Sequence, residues 1–229
     1  MSRHHIEKIT CPNCKKESDF LLWDSINTSL NPDMKEKVRT GEAFRWNCPF
    51  CDAKANIEYA TLYHQMEDLV MIYYVPGEGD KTETIELMQG RHKNEDGEYV
   101  EMDIKIDEGY MKRVVETKEQ FREKLLILDT GLDDRIIELM KAFLTSHLRY
   151  KENVEIEKIL FDQYENEDDP LGFTIHRMDD TWAYIRFQED LYEFFKKKFN
   201  AVAEYEKDAV VIDSDWAVGI LDRLEAQEE

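Results

Sequence analysis

Residues 11–14 read Cys-Pro-Asn-Cys and residues 48–51 read Cys-Pro-Phe-Cys, and these two segments hold all four cysteines of the 229-residue chain. Two residues between a pair of thiols let the backbone turn so that both sulfur atoms face one point. Proline after the first cysteine fixes φ near about −65° and stiffens that turn. Two such segments supply four thiolates, the number that a closed, tetrahedral structural zinc site requires. The predicted ligands of one structural Zn²⁺ are Cys11, Cys14, Cys48 and Cys51.

Other uses of paired cysteines remain open. A redox dithiol needs one reactive pair at a junction between a strand and a helix, whereas strand-like sequence follows both segments here. Free structural thiols are the second alternative. A catalytic zinc is disfavoured because four thiolates leave no open coordination position.

Short strand-like runs flank both cysteine segments, and this weak internal repeat of strand, knuckle and strand is typical of a zinc ribbon. The two segments are 33 residues apart, which exceeds the about 15–20 residues common between such pairs. Asn31 is a good N-cap, Pro32 suits the first helical position and Gly41 suits the position after the last turn. We therefore predict a helix over 32–40 that interrupts the ribbon. The strand-like runs are 6–10, 20–23, 43–46 and 57–63.

The chain resembles the CpXC family, a prokaryotic group named for two Cys-Pro-x-Cys motifs. The resemblance is clear over residues 6–76 and weaker to about residue 150. It implies a metal-binding, zinc-ribbon-like domain and assigns no catalytic residues. Besides the cysteines, the segments that carry it are 23–27, 31–32, 41–44, 59–64, 71–76 and 123–138.

The chain is strongly acidic, with 30 basic and 51 acidic residues and a formal charge of −21. This charge disfavours binding to duplex nucleic acid, which depends on Lys and Arg at phosphates, and to anionic lipid. The aromatic content of 11% argues against global disorder. No run of apolar residues is long enough to span a membrane, and the first residues lack the apolar core of a secretory signal. We therefore expect a cytoplasmic protein.

The sequence predicts an α+β protein. An N-terminal zinc-ribbon-like antiparallel β domain with an inserted short helix is expected over 1–116, and a helical hairpin followed by an antiparallel α+β part over 117–229. Thr117 with Gln120 forms a capping box at the start of the hairpin, and apolar residues spaced three and four apart continue it to about 150. The other predicted strands are 69–75, 82–87, 99–106, 110–115, 156–164, 172–177, 182–187 and 210–212, and the other predicted helices are 189–204 and one that begins at Asp213 or Ser214.

The leading hypothesis is a non-catalytic protein that uses structural zinc to present an interaction surface to a protein partner. The first alternative is an enzyme with an acidic site in the C-terminal half, formed by Asp133, Asp134 or Glu138. Carboxylates in the first turn of a helix also favour the helix dipole, which is their ordinary role. The second alternative is a zinc ribbon that binds nucleic acid by charge and stacking, through Lys15, Lys16, Arg39, Arg45, Lys54, Trp23, Trp46 and Phe50.

Two histidines could in principle bind a metal, but a structural role is favoured for each. His64 follows the second cysteine segment, and a structural role is favoured because four thiolates already complete the site. His176 lies beside Asp179 and Asp180, where a hairpin tip is the ordinary interpretation. No Walker loop, dinucleotide fingerprint, nucleophile elbow or His-Glu-x-x-His motif occurs in the sequence.

Overall fold

The computed structural model describes residues 1–77, 81–102, 109–164 and 170–226. Those residues form an α+β protein with six α-helices and 12 strands. The chain divides into two compact units, Met1–Phe121 and Arg122–Glu229. This boundary lies inside a helix, whereas the sequence-based division lies after residue 116.

A five-stranded sheet dominates the first unit, in the order β1-β2-β5-β6-β9. Two small antiparallel hairpins, β3-β4 and β7-β8, accompany it. In chain order the elements are β1 (Arg3–Thr10), β2 (Glu17–Asn27), α1 (Asp33–Arg39), β3 (Arg45–Asn47), β4 (Lys54–Asn56), β5 (Thr61–Gln65), β6 (Val70–Tyr74), α2 (Lys81–Met88), β7 (Arg91–Lys93), β8 (Tyr99–Glu101), β9 (Met111–Val115) and the start of α3 (Lys118–Asp129).

The main sheet is mixed, so the prediction of an antiparallel β domain was wrong. β2 pairs with β5 in parallel, and β6 pairs with β9 in parallel. Parallel neighbours need a long connection between them. Each parallel pair has one, because α1 and the β3-β4 hairpin separate β2 from β5, and α2 and the β7-β8 hairpin separate β6 from β9.

The inserted helix is confirmed as α1, but two predicted strands were misplaced. The run 82–87 is helical and belongs to α2, where Ile85 and the buried Met88 lie three residues apart as a helix face requires. The β-branched threonines of this run favour a strand by residue type alone. The run 57–63 is split, since β4 ends at Asn56 and β5 begins only at Thr61. Residues 103–106 of the predicted strand 99–106 lie outside the described residues.

Four buried aromatic rings form the centre of the first unit. Tyr74 stacks on Phe121 with ring centroids 5.7 Å apart, and Phe44 meets Tyr74 edge to face at 5.7 Å. Tyr63 meets Phe121 edge to face at 6.0 Å. Such pairs contribute beyond their buried area, about 0.5–1.5 kcal/mol each. These contacts hold the first turn of α3 in place. That helix begins with the predicted capping box, in which the backbone N–H of Thr117 donates to Gln120 Oε1 and the backbone N–H of Gln120 donates to Thr117 Oγ1, each over 3.1 Å.

The second unit packs helices against a three-stranded antiparallel meander, as predicted. Asp133 is the N-cap of α4 and accepts a bond of 2.9 Å from the backbone N–H of Arg135. Phe161 and Phe173 on neighbouring strands lie in the core with the apolar faces of the helices. Besides the rest of α3, the elements are α4 (Asp134–Glu152), β10 (Ile156–Gln163), β11 (Leu171–Arg177), β12 (Trp182–Arg186), α5 (Glu189–Phe199) and α6 (Ser214–Ala226).

The predicted strand 210–212 is not formed. Val210 and Ile212 are buried, as the apolar pattern indicated. The carbonyl oxygen of Ile212, however, accepts a bond of 2.9 Å from the ammonium group of Lys124. The predicted helix 189–204 ends as an α-helix at Phe199, and a 3-10 turn over Ala203–Glu206 follows it.

Gly172 on β11 provides a test of this packing. A Cβ atom at this position would overlap the backbone carbonyl oxygen of Ile185 and the ring of Tyr184. Overpacking of this kind costs about 1–3 kcal/mol. We therefore expect Gly172→Ala to lower the free energy of unfolding of the second unit by that amount, as measured by urea denaturation.

Gly219 in α6 supplies the matched control, because a Cβ there meets no atom within 4 Å. Alanine is favoured over glycine inside a helix by about 0.5–1 kcal/mol, so Gly219→Ala should be neutral or stabilising. Equal effects of the two substitutions would contradict the packing described for β11 and β12.

Candidate metal centre

The two cysteine segments form matching turns in the first unit. The segment 11–14 joins β1 to β2, and the segment 48–51 joins β3 to β4. In each turn the backbone N–H of the first cysteine donates to a carbonyl oxygen five residues later. Cys11 donates to Lys16 over 2.9 Å, and Cys48 donates to Ala53 over 2.7 Å. The internal repeat seen in the sequence is therefore a repeat of backbone geometry.

The residue after the second cysteine is left-handed in both turns. Lys15 has φ of 61° and Asp52 has φ of 57°. Side chains other than glycine seldom adopt this region, and the cost is about 1–2 kcal/mol per residue. Lys15 carries no sequence signal for this conformation, whereas aspartate at position 52 is a residue type that adopts it more often than most. The left-handed residue reverses the chain so that both sulfurs of a pair face inward.

All four sulfur atoms lie within 4.8 Å of one another. The Sγ atoms of Cys11 and Cys51 are 3.6 Å apart, and those of Cys14 and Cys48 are 3.7 Å apart. A zinc–sulfur bond of about 2.3 Å in a tetrahedron implies sulfur–sulfur separations of about 3.8 Å. A disulfide would need about 2.05 Å, and all four cysteines are free. The four predicted ligands therefore form one cluster that fits a single metal ion.

Hydrogen bonds to sulfur orient the thiols. Each turn directs one backbone N–H at the sulfur of its first cysteine, and one side-chain amide reaches from the first turn to the second. Such donors stabilise the thiolate form. The bonds are Cys14 N to Cys11 Sγ at 3.5 Å, Phe50 N to Cys48 Sγ at 3.4 Å and Asn13 Nδ2 to Cys51 Sγ at 3.5 Å.

The thiols differ in how readily they ionise. The backbone N–H of Ala53 lowers the pKa of Cys51 to about 6. The backbone N–H of Cys14 lowers the pKa of Cys11. Burial raises the pKa of Cys48 to about 11. Cys51 therefore ionises more readily than an ordinary thiol, and Cys48 less readily.

A small apolar cluster surrounds the sulfurs. Its fully buried members are Cys11, Cys48 and Trp46. The indole N–H of Trp46 donates to the hydroxyl of Ser18 over 3.1 Å, which ties β3 to β2. The expectation that Trp46 is free to stack on a nucleic-acid base was therefore wrong, since only 2% of its surface is exposed. The partly buried members are Ile9, Cys14, Phe20, Cys51, Ala53, Ala55 and Ile57.

The other residues of the predicted nucleic-acid surface are divided. Phe50 is 52% exposed, with the ammonium of Lys16 4.9 Å from its ring centre. Arg39 instead donates to the hydroxyl of Tyr63 over 2.8 Å and to the backbone of its own helix. Trp46 and Arg39 are thus engaged within the fold, whereas Lys16 and Phe50 lie together at the surface.

The acidic residues predicted for a catalytic site have structural partners in the second unit. Asp133 caps α4 and pairs with the guanidinium of Arg135 at 2.6 Å. Asp134 lies 3.0 Å from the ammonium of Lys124. Glu138 accepts a bond of 2.9 Å from Lys141. Asp134 and Glu138 are buried.

A fifth charged residue completes this buried network, which consists of Glu123, Lys124, Asp134, Glu138 and Lys141. Both oxygens of Glu123 accept bonds of 3.0 Å from Lys141. Burial raises the pKa of Glu123, and the Lys141 ammonium opposes that shift. Burial alone lowers the pKa of Lys141, but Glu123 and Glu138 raise it above its ordinary value. In the network, two ammonium groups are thus shared among three carboxyl groups.

The histidines singled out in the sequence have partners of their own. His64 on β5 lies 3.2 Å from the hydroxyl of Tyr110, and burial lowers its pKa. The two ring nitrogens of His176 lie 2.8 Å from Glu157 and 2.9 Å from Asp180. Its ring also stacks on Trp182.

Comparison with known proteins gives one match. A family model described as CpXC protein matches residues 9–141, which is more than half of the chain and includes all four cysteines. No curated protein and no solved structure matches the chain. Within the described residues, no helix combines the length and apolar character needed to cross a membrane.

The left-handed position of Lys15 predicts a selective effect on metal affinity. A β-branched side chain is strained there, so Lys15→Val should weaken zinc binding about tenfold, which corresponds to about 1.4 kcal/mol. Lys15→Gly should bind at least as tightly as the wild type. Competition with a chromophoric chelator measures both.

Lys54→Val is the control for this experiment, because it removes the same charge from an exposed position in extended β4. It should leave the affinity unchanged. If Lys15→Val and Lys54→Val bind zinc equally well, the backbone account of the turns is wrong.

The buried network predicts a large loss of stability when one cation is removed. Lys141→Met should lower the free energy of unfolding of the second unit by about 3–5 kcal/mol, because it leaves the buried carboxylate of Glu123 without a cationic partner. Lys151→Met, on the exposed end of the same helix, should change it by less than about 0.5 kcal/mol. Urea denaturation followed by hydrogen exchange measures both, and equal stabilities would contradict the network.

Proposed function

The chain belongs to the CpXC family, and we propose that it holds one structural Zn²⁺ between its two cysteine turns as a zinc ribbon and acts as a non-catalytic protein-interaction module. The resemblance noted from the residues is thereby confirmed at the level of the family. The observation that carries the proposal is the cluster of four free sulfurs within 4.8 Å.

The donor set favours zinc in a structural role. Four sulfur ligands in a tetrahedron suit zinc or iron among the common metals. Four protein ligands fill the coordination shell of zinc, so no position is left for water or substrate. The ion would lower the pKa of the Cys48 thiol, whose burial otherwise keeps it protonated.

The ribbon needs such an ion for its stability. β3 and β4 have three residues each, and the fully buried part of the apolar cluster around the sulfurs is Cys11, Trp46 and Cys48. So small a core contributes little, whereas structural zinc contributes about 10–16 kcal/mol in finger peptides. We infer that the metal holds the two turns together.

An interaction role fits the remaining chemistry better than catalysis does. The carboxylates considered for an acidic catalytic site cap a helix or are paired in the buried network. The overall charge of −21 disfavours duplex nucleic acid. Unpaired thiols are typical of a reducing compartment, which supports a cytoplasmic location. An unidentified protein is the partner that we propose.

Metal content tests the proposal directly. Protein prepared without chelator should contain one zinc per chain by elemental analysis, with four cysteines that resist alkylation. Removal of the metal by a strong chelator should make all four reactive. Protein that contains no metal, or that contains iron instead of zinc, would contradict the zinc assignment.

Substitution of a ligand tests the structural role. Cys11→Ser should abolish stoichiometric zinc and increase proteolysis and hydrogen exchange across residues 6–63, while the second unit keeps its protection. Asn13→Ala is the matched control, because it removes one bond to Cys51 Sγ and keeps all four thiols. Cys11→Ser protein with unchanged metal content and ribbon protection would refute the proposal.

A further inference from the structure

The strand β1 forms an open edge of the main sheet. It lies at one end of the order β1-β2-β5-β6-β9, and among the described residues only β2 pairs with it. Seven of its eight residues are exposed. An exposed edge of this length presents a row of backbone groups that can pair with another strand.

The hydrogen-bond phase of β1 shows which groups face outward. The backbone N–H of Cys11 donates to Lys16 just beyond the strand, and the same register continues to His4 opposite Trp23. Bonded pairs in an antiparallel ladder recur every second residue. His5, Glu7 and Ile9 therefore bond to β2, and the N–H and C=O groups of His4, Ile6 and Lys8 point away from the sheet.

The usual protections of an edge are incomplete here: β1 carries the charged Arg3, Glu7 and Lys8, but other features leave it open to pairing. β1 contains no proline. The charge of Lys8, which would repel a second strand, is paired with Asp19 on β2. Ile6 is 63% exposed, and it lies opposite Leu21, which is also exposed. An apolar pair thus lies beside free backbone groups.

We propose that β1 pairs with β1 of a second copy of this chain, antiparallel about a two-fold axis at Ile6. Residues opposite each other in such a pair lie on the same face of the sheet, so the axis must pass at a residue. With the axis at Ile6, that residue exchanges backbone bonds with Ile6 of the second copy. His4 likewise pairs with Lys8 of the second copy, and both pairs use the outward groups.

Side-chain chemistry favours this register over the two with an axis at Glu7 or Lys8. With the axis at Ile6, two isoleucines meet at the centre and His5 faces Glu7 of the second copy. Within its own chain His5 already lies 3.4 Å from Glu7 and 3.3 Å from Asp24, so the second copy adds a carboxylate to an existing group. An axis at Glu7 would oppose two carboxylates, and an axis at Lys8 would oppose two ammonium groups. Like charges directly opposite each other are destabilising.

The charge distribution also favours this location for contact between two copies. Residues 1–76 carry 9 basic and 11 acidic residues, whereas residues 116–229 carry 15 and 29. Contact through the C-terminal half would bring two strongly acidic surfaces together, and contact through β1 avoids this. A single pair of strands buries little area, so the dimer is a weak, rapidly exchanging one.

The association state of the full chain tests the proposal. Sedimentation velocity over a range of concentrations should show a monomer–dimer equilibrium for the wild type. Ile6→Lys places two ammonium groups at the axis and should raise the dissociation constant at least about tenfold. Leu30→Lys is the matched control, since Leu30 lies in a turn and is 62% exposed, and it should dimerise like the wild type.

Hydrogen exchange identifies the strand that pairs. As concentration rises, the amides of His4, Ile6 and Lys8 should gain protection, whereas those of His5 and Glu7 are already protected by β2. A wild-type chain that stays monomeric overturns the proposal. So does a dimer that Ile6→Lys leaves intact, or one that forms without added protection at the outward amides.

Discussion

Four thiol groups packed within 4.8 Å are the constraint on which the N-terminal unit depends. Thiolates at this separation repel one another strongly, so the cluster is stable only when protons or a cation neutralise them. Two peptide turns hold the sulfurs there, and each turn keeps a residue in a conformation that costs free energy. The ion that we propose stabilises the closed turns by more free energy than these two backbone conformations cost.

The two units show different ways of stabilising a fold. The first combines the sulfur cluster with a group of buried rings, in which Phe121 and Tyr74 stack. The second buries five charged side chains between α3 and α4, with each ammonium group bonded to two carboxylates. Buried ion pairs add little net stability compared with apolar packing, but they penalise alternative arrangements that leave a charge without its partner.

Much of the architecture could be predicted from local signals. The cysteine spacing predicted the cluster, and Thr117 with Gln120 predicted the start of α3. What could not be predicted depended on distant partners. The parallel pairing of β2 with β5 follows from the path of the chain between them, and the bond from Lys124 to Ile212 replaces a strand ladder that the apolar pattern indicated. Lysine does not favour the left-handed conformation, so the backbone of Lys15 could not be predicted from its residue type.

The segment between the two cysteine turns, residues 15–47, contains α1, and its length is weakly constrained. The entropic cost of closing a flexible loop grows only with the logarithm of its length. Doubling the length of this segment would therefore raise the free energy of loop closure by about 0.6 kcal/mol. This is small beside the free energy of binding a four-thiolate ion. Lengthening the exposed parts of this segment should therefore cost the fold little.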